Sequence, residues 1–315
     1  YQFMLGANIL VAPIYKNVAA DEMGNDVRNH IYLPDADQVW IDYLTGEKYQ
    51  GGQVLNNFDA PLWKLPVFVK NGAILPMYEE NNTPDEVNKA NRIVEFWPAG
   101  NSRYTVYEDD GKYIQNNTEE EDAYGIIDHI SYGNHVSTTY TSSVDEGLAV
   151  LTAQPSVGSY DGYEAERNTT FIVHMSEKPE SIVAKNGSCC LNVTEVESKE
   201  AFDAKELNEG EAIFFYEAAP KIHTYASKEE VKLAEMVEGV RTAPKLYVKL
   251  AKADTKKDTQ TVEIKGFVNT FEKMAEQENP NLEAPALSVP EDGKTSSSIC
   301  LTWTKQNDAD CYEML

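Results

Sequence analysis

The feature that most limits what this chain can fold into is a repeated alternation of short apolar runs with turn residues. Ile31-Tyr-Leu33, Val39-Trp-Ile-Asp-Tyr43, Val54-Leu55, Val67-Phe-Val69 and Ala73-Ile-Leu75 are separated by Pro34-Asp-Ala-Asp37, Thr45-Gly46, Gly51-Gly52 and Asn71-Gly72. Short runs of period two with turn signals at intervals near ten residues describe antiparallel sandwiches. The same pattern continues through Val136–Tyr140, Leu148–Leu151, Phe171–Met175, Ile182–Val183, Ala212–Tyr216, Ile222–Tyr225, Leu246–Leu250 and Thr261–Ile264. The expected fold class is mainly β, with consecutive antiparallel β-sandwich domains and one or two short helices.

Local chemistry sharpens several elements. Gln2-Phe-Met-Leu-Gly6 reads as the end of an amphipathic helix leading into a buried strand over Ile9–Ile14, whose far end Pro13 weakens. Val67–Val69 and Ala73–Leu75 read as a hairpin, because Asn71-Gly72 supplies the positive φ of a tight turn. Ile93–Trp97 and Tyr104–Tyr107 read as another hairpin around Pro98-Ala-Gly-Asn-Ser102. Thr83-Pro-Asp-Glu86 can cap and start one short helix.

With 315 residues and 42% apolar side chains, the chain has room for two or three domains with real cores. Its formal charge of −25 repels nucleic acid and anionic membranes but leaves neutral glycans acceptable. No run approaches the roughly 18 apolar residues that span a bilayer. The adjacent Cys189 and Cys190 read as small buried residues, and no CxxC pair suggests zinc. Cys300 and Cys311 could face each other across neighbouring strands. His129, His135, His174 and His223 share no metal-ligand spacing.

Two chemistries are suggested by residue type alone. Trp40 and Trp63 could stack on the apolar face of a pyranose, with core packing as the expected alternative for both. Asp109 and Asp110, within Glu108-Asp-Asp-Gly111 and near Glu119–Asp122, could offer hard oxygen ligands to calcium, although a solvated hairpin tip accounts for them more simply and no metal or other cofactor is expected. As neighbours on a strand, the two aspartates point to opposite faces. They do not suit a retaining glycosidase, whose carboxyls face each other across the sugar. Neither aspartate therefore receives a catalytic role.

Six blocks in order carry a resemblance: Gln2-Phe-Met-Leu-Gly6, Leu10-Val-Ala-Pro-Ile14, Ile31-Tyr-Leu-Pro34, Val39-Trp-Ile-Asp-Tyr-Leu-Thr-Gly46, Tyr49-Gln-Gly-Gly52 and Leu65–Pro76. Together they resemble glycoside hydrolase family 31. Tyr104-Thr-Val-Tyr-Glu-Asp-Asp-Gly111 and Tyr160-Asp-Gly-Tyr163 are similar to parts of that family's distal β-domain. The resemblance implies that residues 1–6 end the last helix of a catalytic (β/α)8 barrel, residues 7–88 form a proximal sandwich and residues 89–273 a distal β-domain. An acidic linker over 274–284 would lead to residues 285–315, which resemble the opening strands of a fibronectin type III domain, with Trp303 in its second strand.

The implied activity of the intact protein is a retaining α-glycosidase of the α-glucosidase type, with both catalytic aspartates on an upstream barrel that would be this region's partner. Val54–Trp63 is similar to an α-N-acetylgalactosaminidase branch. A residual apolar patch is expected where the sandwich faces that barrel, and the resemblance implies a secreted or cell-surface location. The competing expectation is a non-enzymatic carbohydrate-binding or surface-adhesion protein.

Overall fold

The computed structural model describes residues 1–111, 114–116, 130–221, 240–269, 287–288 and 302–303, less 17, 23, 80, 82, 84 and 85. Strands dominate. A five-stranded antiparallel sheet runs in the order Phe3–Leu5, Ile9–Val11, Val67–Lys70, Val39–Asp42 and Lys48–Gln50. Two short ladders, Asp26–Arg28 with Phe58–Ala60 and Ile31–Leu33 with Gln53–Leu55, accompany it. Alternate residues point inward, and Leu10, Ile31, Leu33, Trp40, Leu55 and Phe68 form one dry cluster with Tyr49 and Phe58.

Two larger sheets enclose the main core. One has six strands, in the order Ile74–Met77, Asn91–Phe96, Glu166–His174, Lys245–Asp254, Glu211–Glu217 and Asn192–Glu195. The other is built on Asn101–Asp109, His135–Asp145, Leu148–Ala153, Gln260–Lys265 and Ser181–Asn186, extended by the short strands Cys189–Cys190 and Val157–Gly158. Strict alternation along His135–Asp145 turns Val136, Thr138, Tyr140 and Ser142 inward. The space between is filled by Val94, Phe96, Leu151, Phe171, Val248 and Val262, among others. Most pairings are antiparallel, but Asn91–Phe96 with Glu166–His174 and Asn192–Glu195 with Glu211–Glu217 are parallel.

Four local expectations are corrected. Phe3–Leu5 is a strand paired in register with Ile9–Val11, not the end of a helix. Gly6, at φ +63°, turns the chain back so soon that helix cannot continue. Neither expected hairpin forms. The Asn71-Gly72 turn is present, with Ala73 N donating to Lys70 O at 3.0 Å and Gly72 at φ +92°. Yet Val67–Lys70 stays in the five-stranded sheet while Ile74–Met77 joins the six-stranded one. Likewise Asn91–Phe96 and Asn101–Asp109 belong to different sheets. The physical reason lies in the two turns themselves. Gly72 N donates to Trp97 O at 2.9 Å and Trp97 N donates to Ala73 O at 3.0 Å, so each crossing satisfies the other's backbone. Cys189 and Cys190 are also corrected: both are exposed thiols on a short outer strand.

The helix found among the described residues, α1 (Lys199–Ala204), is not evident from the sequence pattern. Ser198 caps it, its Oγ accepting from Ala201 N at 3.1 Å, and Phe202 is its buried residue. At the position expected to start a helix, Glu86 N donates to Thr83 O at 3.1 Å, while residues 84–85 lie outside the described set. Also outside it are Glu119–Asp122, His129, His223, Cys300, Cys311 and residues 274–284. Of the fibronectin-like stretch, Leu287–Ser288 pairs antiparallel with Thr302–Trp303.

Candidate functional site

The edge strand Phe3–Leu5 is the least covered apolar element described. Successive strand residues face opposite sides, yet Phe3 is 53%, Met4 42% and Leu5 59% exposed, so neither face of the strand is covered. Tyr1, Tyr15 and Tyr32 are exposed beside it. The cluster is held in shape rather than loose. Gln2 meets Tyr32 as a backbone mimic, donating Nε2 to Tyr32 O at 2.7 Å and accepting Tyr32 N at 2.9 Å. Buried Arg28 donates Nη2 to Tyr1 O at 2.9 Å and Nε to Pro13 O at 3.1 Å, with its guanidinium 4.9 Å above the Tyr15 ring. Tyr1 meets Tyr15 edge-on at 4.9 Å. An ordered, contiguous apolar surface at an open sheet edge is a partner-binding feature, or an aggregation hazard when left bare.

The five-stranded and six-stranded sheets are joined by a buried charge cluster. Glu95, fully buried, accepts from Tyr43 Oη at 3.0 Å, from His174 Nε2 at 2.7 Å and from Lys245 Nζ at 3.0 Å. The indole of Trp97 stacks on His174 at 4.1 Å. Burial pushes the Glu95 carboxyl up, but Lys245 and His174 outweigh it and hold the group at about 2. Burial lowers His174 below its ordinary value despite Glu95. The imidazole is therefore neutral near pH 7 and donates an Nε2–H hydrogen bond to a carboxylate that stays ionised, with Lys245 as its counter-charge. Ala243 N donating to Leu44 O and Lys48 Nζ donating to Asn269 O add two further ties across the same junction. A second buried pair, Lys64 with Asp42 at 2.7 Å, braces the turn after Val39–Asp42, where Asp42 Oδ1 also accepts Leu44 N.

The sequence candidates fall in different places. Trp40 is completely buried and donates Nε1 to Pro34 O at 2.8 Å, so it packs the core and no sugar can reach it. Trp63 is half-buried in the loop before Val67–Lys70. Asp109 is exposed at a strand end, its Oδ1 accepting Gly111 N at 3.0 Å, with Asp110 next to it. Among the described residues no group of three or more His, Cys, Asp or Glu side chains comes together to hold a metal ion. The sequence reading missed Glu95 and Arg167, and it took His174 only as one of several scattered histidines. A charge inside an apolar run, as in Ile93-Val-Glu-Phe-Trp97, is the one signal that could have found Glu95.

Residues 1–75 match the model of the glycosyl hydrolase family 31 C-terminal domain. Among curated proteins, the isomaltosyltransferase of Sporosarcina globispora is 28% identical over 219 residues, covering 63% of this chain and 19% of its own length. Alpha-glucosidase 2 of Bacillus thermoamyloliquefaciens is 32% identical over 187 residues, covering 55% of this chain and 21% of its own length. The chain thus spans about a fifth of the length of these relatives. A family 31 dextranase of Flavobacterium johnsoniae superposes with a TM-score of 0.55 at 24% identity, over 84% of this chain and 26% of that one, which establishes the shared fold. No described helix is long and apolar enough to cross a membrane. Residues 1–75 thus match the C-terminal domain of glycosyl hydrolase family 31, and the chain over most of its length shares its fold with the family 31 dextranase.

Proposed function

We propose that this chain is the accessory C-terminal region of a retaining α-glycosidase acting on terminal α-linked glucosides, and that its role is to support the catalytic domain rather than to carry the chemistry. The observation behind this is the edge strand Phe3–Leu5, which leaves three consecutive apolar side chains uncovered on both faces. A strand so exposed has the chemistry of a surface cut from a larger packed interface. The occupant we assign to it is the catalytic domain of the same protein, since the relatives are several times longer than the matched region. The ties through Glu95, Trp97 and Gly72 would then transmit that support to the two larger sheets. The α-N-acetylgalactosaminidase subtype lacks a supporting observation of its own, and the named relatives favour α-glucosides.

The test is a panel of nitrophenyl α-glycosides applied to the complete product of the gene and, separately, to the 315-residue chain. The reading predicts hydrolysis by the complete product, best with the α-glucoside, and none by the chain. Hydrolysis by the chain alone, or an inert complete product, would overturn it.

A further inference from the structure

Well away from the junction in sequence, the strand Asn101–Asp109 ends beside an open cleft of about 560 Å³. It is lined by Tyr78, Tyr107 and Tyr160 together with Glu108, Asp109 and Lys89. Tyr160 also lines a second open cleft of about 510 Å³, with Asp161, Tyr163 and Lys256. Tyr160 is buried beneath Lys89 and divides the two shallow depressions, whereas the rings of Tyr78 and Tyr107 are exposed in the first, whose volume is within the roughly 300–1,000 Å³ range of small-ligand sites.

The lining is pre-organised. Tyr78 Oη donates to Glu108 Oε1 at 3.0 Å, and Arg167 Nη1 donates to the same oxygen at 2.9 Å. Arg167 is 2% exposed, gives Nε to Glu164 O at 2.6 Å and lies 4.7 Å over the Tyr163 ring. Its Nη2 is buried with no hydrogen-bond partner of good geometry among the described residues. His135 stacks against Tyr107 at 4.7 Å and steadies that ring. The Arg167–Glu108 pair also ties the strand Glu166–His174 of one large sheet to Asn101–Asp109 of the other, so the carboxylate beside the tyrosines is rigidly placed.

We propose that the cleft lined by Tyr78 and Tyr107 is a non-catalytic binding subsite for a neutral oligosaccharide, with sugar units seated against those two half-exposed rings. Aromatic rings match the apolar C–H faces of pyranoses, while fixed carboxylates and Lys89 match their hydroxyls. The charge of −25 opposes anionic ligands. A lining with Val87 as its aliphatic residue lacks the anchors a peptide would need. The proposal rests on the reading of the chain as part of a glycan-acting protein and adds a place where it holds its substrate class.

Isothermal titration of the 315-residue chain with isomaltotriose and maltotriose tests it. The expected result is saturable binding with Kd of about 1 mM, weakened about tenfold or more in Tyr78→Ala and in Tyr107→Ala and kept within about threefold in Tyr107→Phe. Thermal melts of the variants separate lost binding from lost folding, and Tyr107→Phe keeps the ring if the alanine variants unfold. No saturable heat with either sugar, or binding indifferent to both alanine substitutions in folded protein, would overturn the proposal. That failure is distinct from failure of the glycosidase reading, which is judged by hydrolysis in the complete product and needs no binding by this chain.

Discussion

Trp40 shows how one buried side chain decides between two roles that its residue type leaves open. Indole is equally suited to a sugar face and to a core; here the ring is closed off and its nitrogen is satisfied by Pro34 O. Trp40→Ala is expected to cost about 3–5 kcal/mol in urea denaturation, with no effect on sugar binding. A normal denaturation midpoint in that variant would place the ring outside the core. Gly51 is constrained by space rather than by φ. A Cβ there would lie 2.0 Å from Asp35 O and 2.6 Å from Pro34 O, both rigid backbone. Gly51→Ala is therefore expected to destabilise by at least about 2 kcal/mol, read as a lowered midpoint of thermal unfolding.

At the scale of elements, the junction through Glu95 and His174 makes stability depend on pH with a definite sign. Glu95 is held near 2 against an ordinary 4.5, so its contribution is full above about 4.5 and is lost as pH falls toward 2. His174 is lowered from 6.5, so the unfolded chain takes up its proton first and stability declines as pH drops below about 6.5. The melting temperature should therefore fall from about pH 7 to pH 5, and His174→Gln should flatten that part of the profile. Glu95→Gln should remove the steeper loss below about pH 4.5 and cost about 3 kcal/mol near neutrality by leaving Lys245 without its counter-charge. A profile rising toward acid would contradict the assignment. The strands themselves were legible from period two and turn residues, as along His135–Asp145. Their partners were not. Asn71-Gly72 announces a turn, but whether the chain returns on itself depends on Trp97, far away in sequence, whose O accepts Gly72 N and whose N donates to Ala73 O. The strand at Phe3–Leu5 was misread for a related reason: its apolar residues fit a helix face as well as an uncovered edge, and only pairing with Ile9–Val11 separates the two.

For the whole molecule, the six sequence blocks lead to an expected apolar patch on the proximal sandwich, whereas the exposed apolar strand described is Phe3–Leu5, in the stretch read as the end of a barrel helix. The tyrosine clefts were not legible, since Tyr78, Tyr107 and Tyr160 converge from separate segments. If Phe3–Leu5 is an interface, the 315-residue chain should self-associate through it, and Phe3→Ser with Leu5→Ser should lower the apparent mass by light scattering while leaving the melting temperature within about 3 °C. The complete product carrying the same pair should lose stability by about 3 kcal/mol or more, through two emptied interface positions. The most direct measurement is hydroxyl-radical footprinting of Met4 and Tyr15, compared between the 315-residue chain and the complete product of its gene. Strong labelling in the chain and protection in the complete product are predicted. Equal labelling in both would contradict the claim that this edge is the docking face for the catalytic domain.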